Sequence, residues 1–352
     1  MSCVQISASK EYNVYIESGL IDRCGEIIRS TLKADTVALI AGSNVFPLYG
    51  KRVINSLESA GFKVVFHVIP AGEEHKTLDT FSDILAFLAD NHLTRSDAAL
   101  ALGGGVTGDL TGFAAACYRR GINYIQMPTT LLAAVDSSVG GKTAVDMPQG
   151  KNLVGAFHQP SAVICDTDAL STLPEDIYRA GCAEVIKYGL LGNRSFFEEL
   201  RKTHVTDNTE SVITTCVEMK RDIVNEDEFD TGRRALLNMG HTFGHAVEAL
   251  SNFSISHGYA VAIGMVLITR AAVHKGLCDA SVLEDLLDIL DFYALPTSTS
   301  FSADDILSVT LSDKKIKGRT CDLIVPTAIG SSIIYSVPVE ALSEWISLGL
   351  GE

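Results

Sequence analysis

Between residues 36 and 165 the chain alternates short apolar or β-branched runs with stretches of helical spacing. Runs at 36–41, 63–69, 98–102, 122–127 and 162–165 predict strands. Between the first four, residues 47–59, 78–91 and 110–120 carry the apolar periodicity of helices. Strand, helix, strand in this rhythm predicts a Rossmann-like parallel sheet with helices on its faces. Ligands of such sheets bind beyond the carboxyl ends of the strands. From Leu173 the strand signal fades and helical periodicity runs to about Thr310. Pro174 suits a first helical turn, so 175–189 reads as one helix. Residues 322–325 and 332–337 look like a small hairpin. The expected organisation is an α/β nucleotide-binding domain over 1–172 and an α-helical domain over 173–352.

The post-strand loops hold the first candidate chemistry. Gly103-Gly104-Gly105-Val106-Thr107-Gly108-Asp109 follows a strand and opens a helix, and it contains G-x-G-x-x-G. Glycines let backbone amides approach a pyrophosphate, and a helix N-terminus favours negative charge. A standard Rossmann unit would place an acid about 20 residues further on; here the chain reads Pro128-Thr129-Thr130. The loop is therefore of nucleotide type in a non-standard setting. A second loop, Asp136 to Thr143, ends in Gly-Lys-Thr but has Asp136 where a Walker loop needs glycine, which argues against an NTPase. Lys142, Lys151 and Asn152 remain phosphate-binding candidates. Gly72-Glu73-Glu74-His75-Lys76 also follows a strand and lies on the ligand-facing edge.

In the helical half, His241 and His245 stand four residues apart, so a helix stacks them on one face. His257 follows shortly, and Gly258 beside it can bring backbone close to a ligand. Three of nine histidines in one short segment point to a metal. The glutamate of a zinc protease is missing, because Thr242 follows the first histidine. Spacing leaves open whether all three bind, or two with an acid from elsewhere. Glu184, flanked by Ala183, Val185 and Ile186, is the candidate acid, since a carboxylate on an apolar face needs a partner. Lys220, Arg233, Arg234 and Asn238 are candidates for a local anion site.

A formal net charge of −15 disfavours nucleic acid and anionic membrane as partners, so cations for an anionic substrate must be gathered locally. Apolar content of 47% and charged content of 20% describe a globular chain. Eight scattered cysteines without Cys-x-x-Cys, and no signal-peptide pattern at the start, fit reduced thiols in the cytoplasm. No apolar run is long enough to span a membrane.

Taken together, Gly103–Asp109, 136–143, 181–189 and 238–248 resemble the 3-dehydroquinate synthases, part of the sugar-phosphate cyclase superfamily. Thr111 to Ala116, Pro128 to Leu132, Gly150-Lys151-Asn152 and Asp313-Lys314-Lys315 continue the likeness in register from about Gly72 to Gly330. The resemblance implies an N-terminal α/β nucleotide domain and a C-terminal α-helical metal domain. It implies NAD, a divalent metal (zinc or cobalt) and conversion of 3-deoxy-D-arabino-heptulosonate 7-phosphate to 3-dehydroquinate and phosphate. It assigns the metal to Glu184, His241 and His257, and turns His245 toward the substrate phosphate. Asp136, Lys142, Lys187, Lys220, Arg234 and Asn238 match catalytic positions. Asn152 and one of Lys314 or Lys315 match substrate positions, and Arg120 matches an arginine reaching the phosphate from a neighbouring subunit, which implies a homodimer. Cofactor positions are Asn44, Glu73, Lys76, Gly105, Val106, Thr107, Gly108, Asp109, Thr129, Thr130, Lys142, Lys151 and Thr172. Tyr259, Asp146 and His158 depart from frequent family residues without removing a metal ligand or a lysine. Related cyclases alter the segment matching 136–146, which here keeps the dehydroquinate form. The competing classes are a net polyol dehydrogenase and a catalytically silent binder.

Overall fold

The apolar runs of the N-terminal half become strands of one sheet in the computed structural model of the protein. It describes residues 1–311, 316, 317 and 319–352. The chain divides into two units, Met1–Pro174 with Thr209–Phe229, and Glu175–Asn208 with Asp230–Glu352.

Strands of the first unit are β1 (Ser2–Ser7), β2 (Glu11–Glu17), β3 (Thr36–Gly42), β4 (Lys63–Ile69), β5 (Ala98–Gly103), β6 (Asn123–Pro128), β7 (Lys142–Met147), β8 (Gly150–Phe157) and β9 (Ala162–Asp166). Helices α1 (Cys24–Thr31), α2 (Lys51–Ser59), α3 (Leu78–Asp90) and α4 (Gly105–Cys117) connect them. Seven strands form a sheet in the order β1-β2-β9-β6-β5-β3-β4, while β7 and β8 pair separately as an antiparallel hairpin. Within the sheet β1 and β2 are antiparallel and every other pair is parallel.

β5 is buried along its whole length and β3 from Val37 onward, which is why both read as unbroken apolar runs. Alternate residues serve opposite faces. Val37, Leu39, Ala41, Leu100 and Leu102 join the core that includes Cys24, Ile28, Val53 and Leu57 of α1 and α2. Ala38, Ile40, Ala99 and Ala101 join Ile84 and Leu88 of α3 and Leu110 and Ala114 of α4. Because β4 and β5 lie on opposite sides of β3, the chain order reverses at β3, and the crevice beyond Gly42 and Gly103 is the switch point where such sheets bind ligands.

Three features depart from the sequence expectation. The β1–β2 hairpin carries alternating burial with Gln5, Glu11 and Asn13 on the open face, too polar to stand out as apolar runs. The helix expected over 110–120 begins at Gly105, so the glycine loop is its first turn. That expected over 47–59 is a wide turn at Phe46–Gly50 followed by α2.

Asp97 fixes the entry to the two central strands. Its carboxylate accepts from Thr36 N (2.8 Å), Thr94 N (2.7 Å) and Thr94 Oγ1 (2.7 Å). Burial alone would raise this carboxyl, but those hydrogen bonds hold it below the usual range. The stability it contributes is present above the ordinary carboxylate pKa and is lost as pH falls through the lower folded value. We expect Asp97→Asn to cost about 2 kcal/mol at neutral pH, the magnitude for hydrogen bonds to a charged group. Denaturant unfolding across pH should show the gap to wild type closing below about pH 4; a gap constant down to that range would remove the carboxylate from the account.

The second unit begins with α5 (Glu175–Gly192) and α6 (Arg194–Leu200). The chain then returns to the first unit for α7 (Thr209–Glu226). There Asn225 and the following Glu228 accept from Ser7 N (2.9 Å) and Ser9 N (2.7 Å) at the end of β1. The sequence boundary at 172/173 puts α7 with the other helices, since helical periodicity shows an apolar stripe without saying what covers it. The second unit resumes with α8 (His241–Leu250), α9 (His257–His274), α10 (Ala280–Phe292) and α11 (Ala303–Thr310), then β10 (Ile316–Lys317), β11 (Thr320–Ala328), β12 (Ser331–Pro338) and α12 (Leu342–Leu350). β11 and β12 contain the hairpin expected from sequence, and β10 makes it a three-stranded antiparallel sheet. Phe243 and Val247 of α8, Ile263 and Leu267 of α9, Leu323 and Val325 of β11 and Trp345 of α12 share one core. Among the described residues no two cysteines are joined in a disulfide. Among the described residues no helix is long and apolar enough to cross a membrane.

Candidate functional site

Glycines set the geometry of the second unit's site. α8 and α9 cross where Gly244 faces Ala260 and Gly264 faces Gly240. A Cβ on Gly264 would stand 1.9 Å from Gly240 O, and one on Gly244 2.7 Å from Ala260 O. Backbone contact of this kind needs bare glycine. It brings the His241 and His257 rings, each the first residue of its helix, to a centroid separation of 5.1 Å. α5 approaches the start of α9 in the same manner through Ala180 and Gly258. One turn beyond Ala180 stands Glu184, wholly buried. The glycine after His257 thus serves helix contact, where the sequence suggested approach to a ligand.

Ligand atoms of Glu184, His241 and His257 all lie within 4.8 Å of one another. His241 Nε2 is 3.6 Å and His257 Nε2 3.3 Å from Glu184 Oε1. The other ring nitrogens are held from behind: His241 Nδ1 contacts Met239 O at 3.0 Å, and His257 Nδ1 contacts Glu248 Oε2 at 3.4 Å. Two imidazoles presented through Nε2 beside one carboxylate form a donor set suited to zinc or cobalt, with a position left open. Burial pulls the His257 imidazolium down, but Glu184 and Glu248 outweigh it and raise its pKa to about 9. A cation entering the cluster therefore displaces a proton. Ligand atoms of His245, Glu248 and His257 form a second convergent group, so the helical pairing of His241 with His245 is not the only one the fold offers. The His241 and His245 rings are 5.2 Å apart.

Around this cluster Lys187 is buried and ion-paired with Glu184. Arg234 is buried, and Asn238 donates to Ala235 O at 3.2 Å. Lys314 and Lys315 lie outside the described residues.

In the first unit, the N-terminus of α4 opens the switch-point loop with no side chain capping it. Gly105, Val106, Thr107, Gly108 and Asp109 are its first residues, and Thr129 N donates to Gly103 O at 3.0 Å. Thr129 Oγ1 is buried and, among the described residues, has no hydrogen-bond partner. Thr130 Oγ1 caps the following turn by accepting from Ala133 N. Asn44, exposed just past β3, lies on the same edge, and its Oδ1 is 3.0 Å from the Cβ position of Gly42. Buried Lys76 pairs with Asp109 at 2.6 Å and donates to Asn152 Oδ1 at 2.6 Å. Burial lowers the Lys76 ammonium's pKa, but Asp109, Glu73 and Asp146 reverse this and raise it. Burial also raises Asp109, with Lys76 offsetting part of the effect. Asn152, at a left-handed φ of 53°, donates its amide to Asp146 Oδ1 at 2.7 Å. Lys151 pairs with Glu73 at 3.1 Å, and Thr172 Oγ1 meets Tyr49 OH at 2.6 Å. Lys220, grouped from sequence with Arg233, Arg234 and Asn238, instead belongs to the first unit, where it donates to Asp136 Oδ1 at 2.8 Å and Asp136 O at 2.7 Å. Lys142 is exposed at the head of β7. Arg120 is exposed at the end of α4's connection, where Arg119 and Arg120 both adopt positive φ.

Two participants carry no role in the sequence reading. The Met239 carbonyl is invisible there, because backbone orientation has no side-chain signature. Glu248 had a signal: it stands seven residues after His241, on the same helical face.

The first unit thus carries a switch-point glycine loop and the second a carboxylate–imidazole cluster, and solved sugar-phosphate cyclases share this fold. A solved 2-deoxy-scyllo-inosose synthase, complexed with carbaglucose-6-phosphate, NAD+ and Co2+, superposes with a TM-score of 0.88 at 27% identity, over 98% of this chain and 99% of that one. The 2-epi-5-epi-valiolone synthase of Streptomyces hygroscopicus, solved with NAD+ and Zn2+, gives 0.88 at 26% identity, over 99% of each chain. Residues 66–180 match the 3-dehydroquinate synthase N-terminal family and 181–316 the C-terminal one. A 3-dehydroquinate synthase of Microcystis aeruginosa is 42% identical over 346 residues, 94% of this chain and of that one. The chain belongs to the 3-dehydroquinate synthase family.

Proposed function

We propose that this protein acts as a 3-dehydroquinate synthase, a phosphate-eliminating lyase that uses NAD and a divalent metal. Its substrate is 3-deoxy-D-arabino-heptulosonate 7-phosphate and its products are 3-dehydroquinate and phosphate, which places it in the shikimate route to aromatic amino acids. The observation that carries this reading is the convergence of Glu184, His241 and His257 with both Nδ1 atoms held from behind, within a chain of this family.

Glu184, His241 and His257 would hold zinc or cobalt. The α4 N-terminus, the buried Thr129 hydroxyl and the Lys76–Asp109–Asn152 group would hold NAD, together with Asn44, Glu73, Thr130, Lys142, Lys151 and Thr172. When bound, NAD supplies reversible hydride transfer and the divalent cation Lewis acidity, so the reaction is redox-neutral overall. The chain's own residues bind, orient and balance charge. Lys220 holds Asp136 through one hydrogen bond to its carboxylate and one to its backbone carbonyl. In the second unit Lys187 and Arg234 would offer positive charge to the anionic substrate, and Asn238 and His245 hydrogen bonds; in the first unit Lys142 would offer charge and Asn152 a hydrogen bond, and one of Lys314 or Lys315 would add charge. Arg120 would serve the site of the other subunit in a homodimer, and the enzyme would work in the cytoplasm.

The test supplies the heptulosonate phosphate with catalytic NAD and follows phosphate release together with NADH absorbance. Stoichiometric phosphate without NADH build-up is expected. Accumulating NADH would mark a net dehydrogenase, and the absence of both signals a silent binder.

A further inference from the structure

α8 ends and α9 begins across six residues, and the turn between them is unusually constrained. Asn252 and Phe253 both adopt left-handed backbone, with φ of 50° and 62°. Such angles are uncommon outside glycine and cost free energy that the surrounding structure must sustain. Asn252 N donates to Ala249 O and Phe253 N to Glu248 O, both at 3.0 Å, so the helix end is closed tightly. The consequence is a fixed register. The first residue of α9, His257, is delivered to the last turn of α8, where Glu248 is 4% exposed. Glu248 Oε2 then meets His257 Nδ1 at 3.4 Å, while Nε2 of the same ring points to Glu184 at 3.3 Å.

We propose that Glu248 is a positioning residue for the metal centre: it accepts the Nδ1–H of His257, and so fixes the tautomer and ring orientation that present Nε2 to the cation beside Glu184 and His241. This deepens the metal reading above and rests on it. An imidazole ligand is ambiguous between two nitrogens until one is committed. For His241 the commitment comes from the Met239 carbonyl, a neutral acceptor. For His257 it comes from a buried carboxylate, which also raises the basicity of the ligating nitrogen. A side chain packed in place by a strained turn is preorganised for this task. The contact is long for a hydrogen bond, and it should tighten once Nε2 is engaged.

The experiment compares wild type, Glu248→Gln and Glu184→Gln, each stripped of metal and titrated with Zn2+ against a chromophoric chelator. Co2+-loaded samples are followed by their visible spectrum, and circular dichroism and thermal unfolding are recorded on the metal-free proteins. Glutamine keeps the shape and one acceptor oxygen but removes the charge. Glu248→Gln is expected to bind Zn2+ about 10- to 100-fold more weakly, the usual cost of losing an outer-shell partner. It should also shift the Co2+ bands while its metal-free fold and melting temperature stay near wild type. Glu184→Gln should bind no metal detectably. Should Glu248→Gln fail to fold, zinc-loaded wild type labelled with 15N-histidine decides instead: His257 must show a proton on Nδ1 and none on Nε2. Unchanged affinity and spectrum in Glu248→Gln, or zinc bound through Nδ1, would overturn the proposal and leave the metal reading intact. Loss of binding in Glu248→Gln with retention in Glu184→Gln would make Glu248 a ligand of the His245–Glu248–His257 group and also overturn it. A wild type that takes up no Zn2+ would defeat the metal reading itself.

Discussion

Glutamine at position 184 is expected to yield a folded protein that holds no divalent cation and has lost at least about three orders of magnitude in kcat/KM, some 4 kcal/mol of transition-state stabilisation. The charge arithmetic of α5 accounts for the severity. Glu184 is wholly buried, and its carboxylate is the one that, among the described residues, both histidines contact. Removing its charge takes away the anionic donor and leaves two neutral imidazoles, a weak set for zinc. A second consequence is separable from the first. Lys187 is 1% exposed and ion-paired with Glu184 one turn away. Stripping one partner from a buried ion pair typically costs about 3–5 kcal/mol. The metal-free variant should therefore melt below metal-free wild type. Adding Lys187→Met in the same background should recover most of that stability and none of the metal. Wild type should gain about 2.7 kcal/mol at a zinc concentration 100 times its dissociation constant, and the variant nothing. Metal content by elemental analysis, melting temperature with and without zinc, and turnover check all three statements. A variant with full metal and full turnover would remove Glu184 from the ligand set.

How much of this site the sequence carried depended on whether the information was local. The order of strands and helices was legible because β3 and β5 are buried on both faces and so read as unbroken apolar runs. The glycine loop was legible because its chemistry is backbone chemistry concentrated in seven residues. The histidines were legible as a cluster, but spacing pairs His241 with His245, whereas the fold gathers His241 and His257 around Glu184 and sets His245 with Glu248 and His257. That choice depends on where α5 and α9 cross α8, a tertiary fact with no periodic signature. Family resemblance supplied the Glu184–His241–His257 grouping that periodicity could not. Lys220 shows a long-range contact of the same kind: it meets Asp136, 84 positions away, a pairing with no periodic signature. The β1–β2 hairpin was missed because its open face is polar; α7 was expected as a helix, but an apolar stripe does not say which unit covers it.

The crossing itself can be broken by one methyl group. Gly258→Ala would place a Cβ 1.9 Å from Ala180 O and 2.5 Å from its carbonyl carbon, both backbone atoms of α5 that no rotamer change can move. An alanine inside a helix ordinarily gains up to about 1 kcal/mol over glycine. Here the sign must reverse, since relief requires the start of α9 to back away from α5. Overpacking costs of about 1–3 kcal/mol are usual, and a backbone-on-backbone clash should reach or exceed the top of that range. The displacement acts where it does most harm, because Gly258 follows His257 and Ala180 lies one turn before Glu184. Moving His257 Nε2 outward from its 3.3 Å contact with Glu184 should weaken zinc binding more than tenfold and, at about 1 Å of misplacement, cost roughly 100-fold in turnover. Gly276→Ala is the control: its φ of +67° makes alanine unfavourable, but among the described residues nothing beyond its chain neighbours lies within 4 Å of the new Cβ. That variant should lose about 1 kcal/mol of stability from backbone strain alone, with metal affinity unchanged. Parallel denaturant unfolding and zinc titration of the two variants separate the effects. Equal zinc affinity in Gly258→Ala and Gly276→Ala would show that the α5–α9 contact does not set the distance between Glu184 and His257.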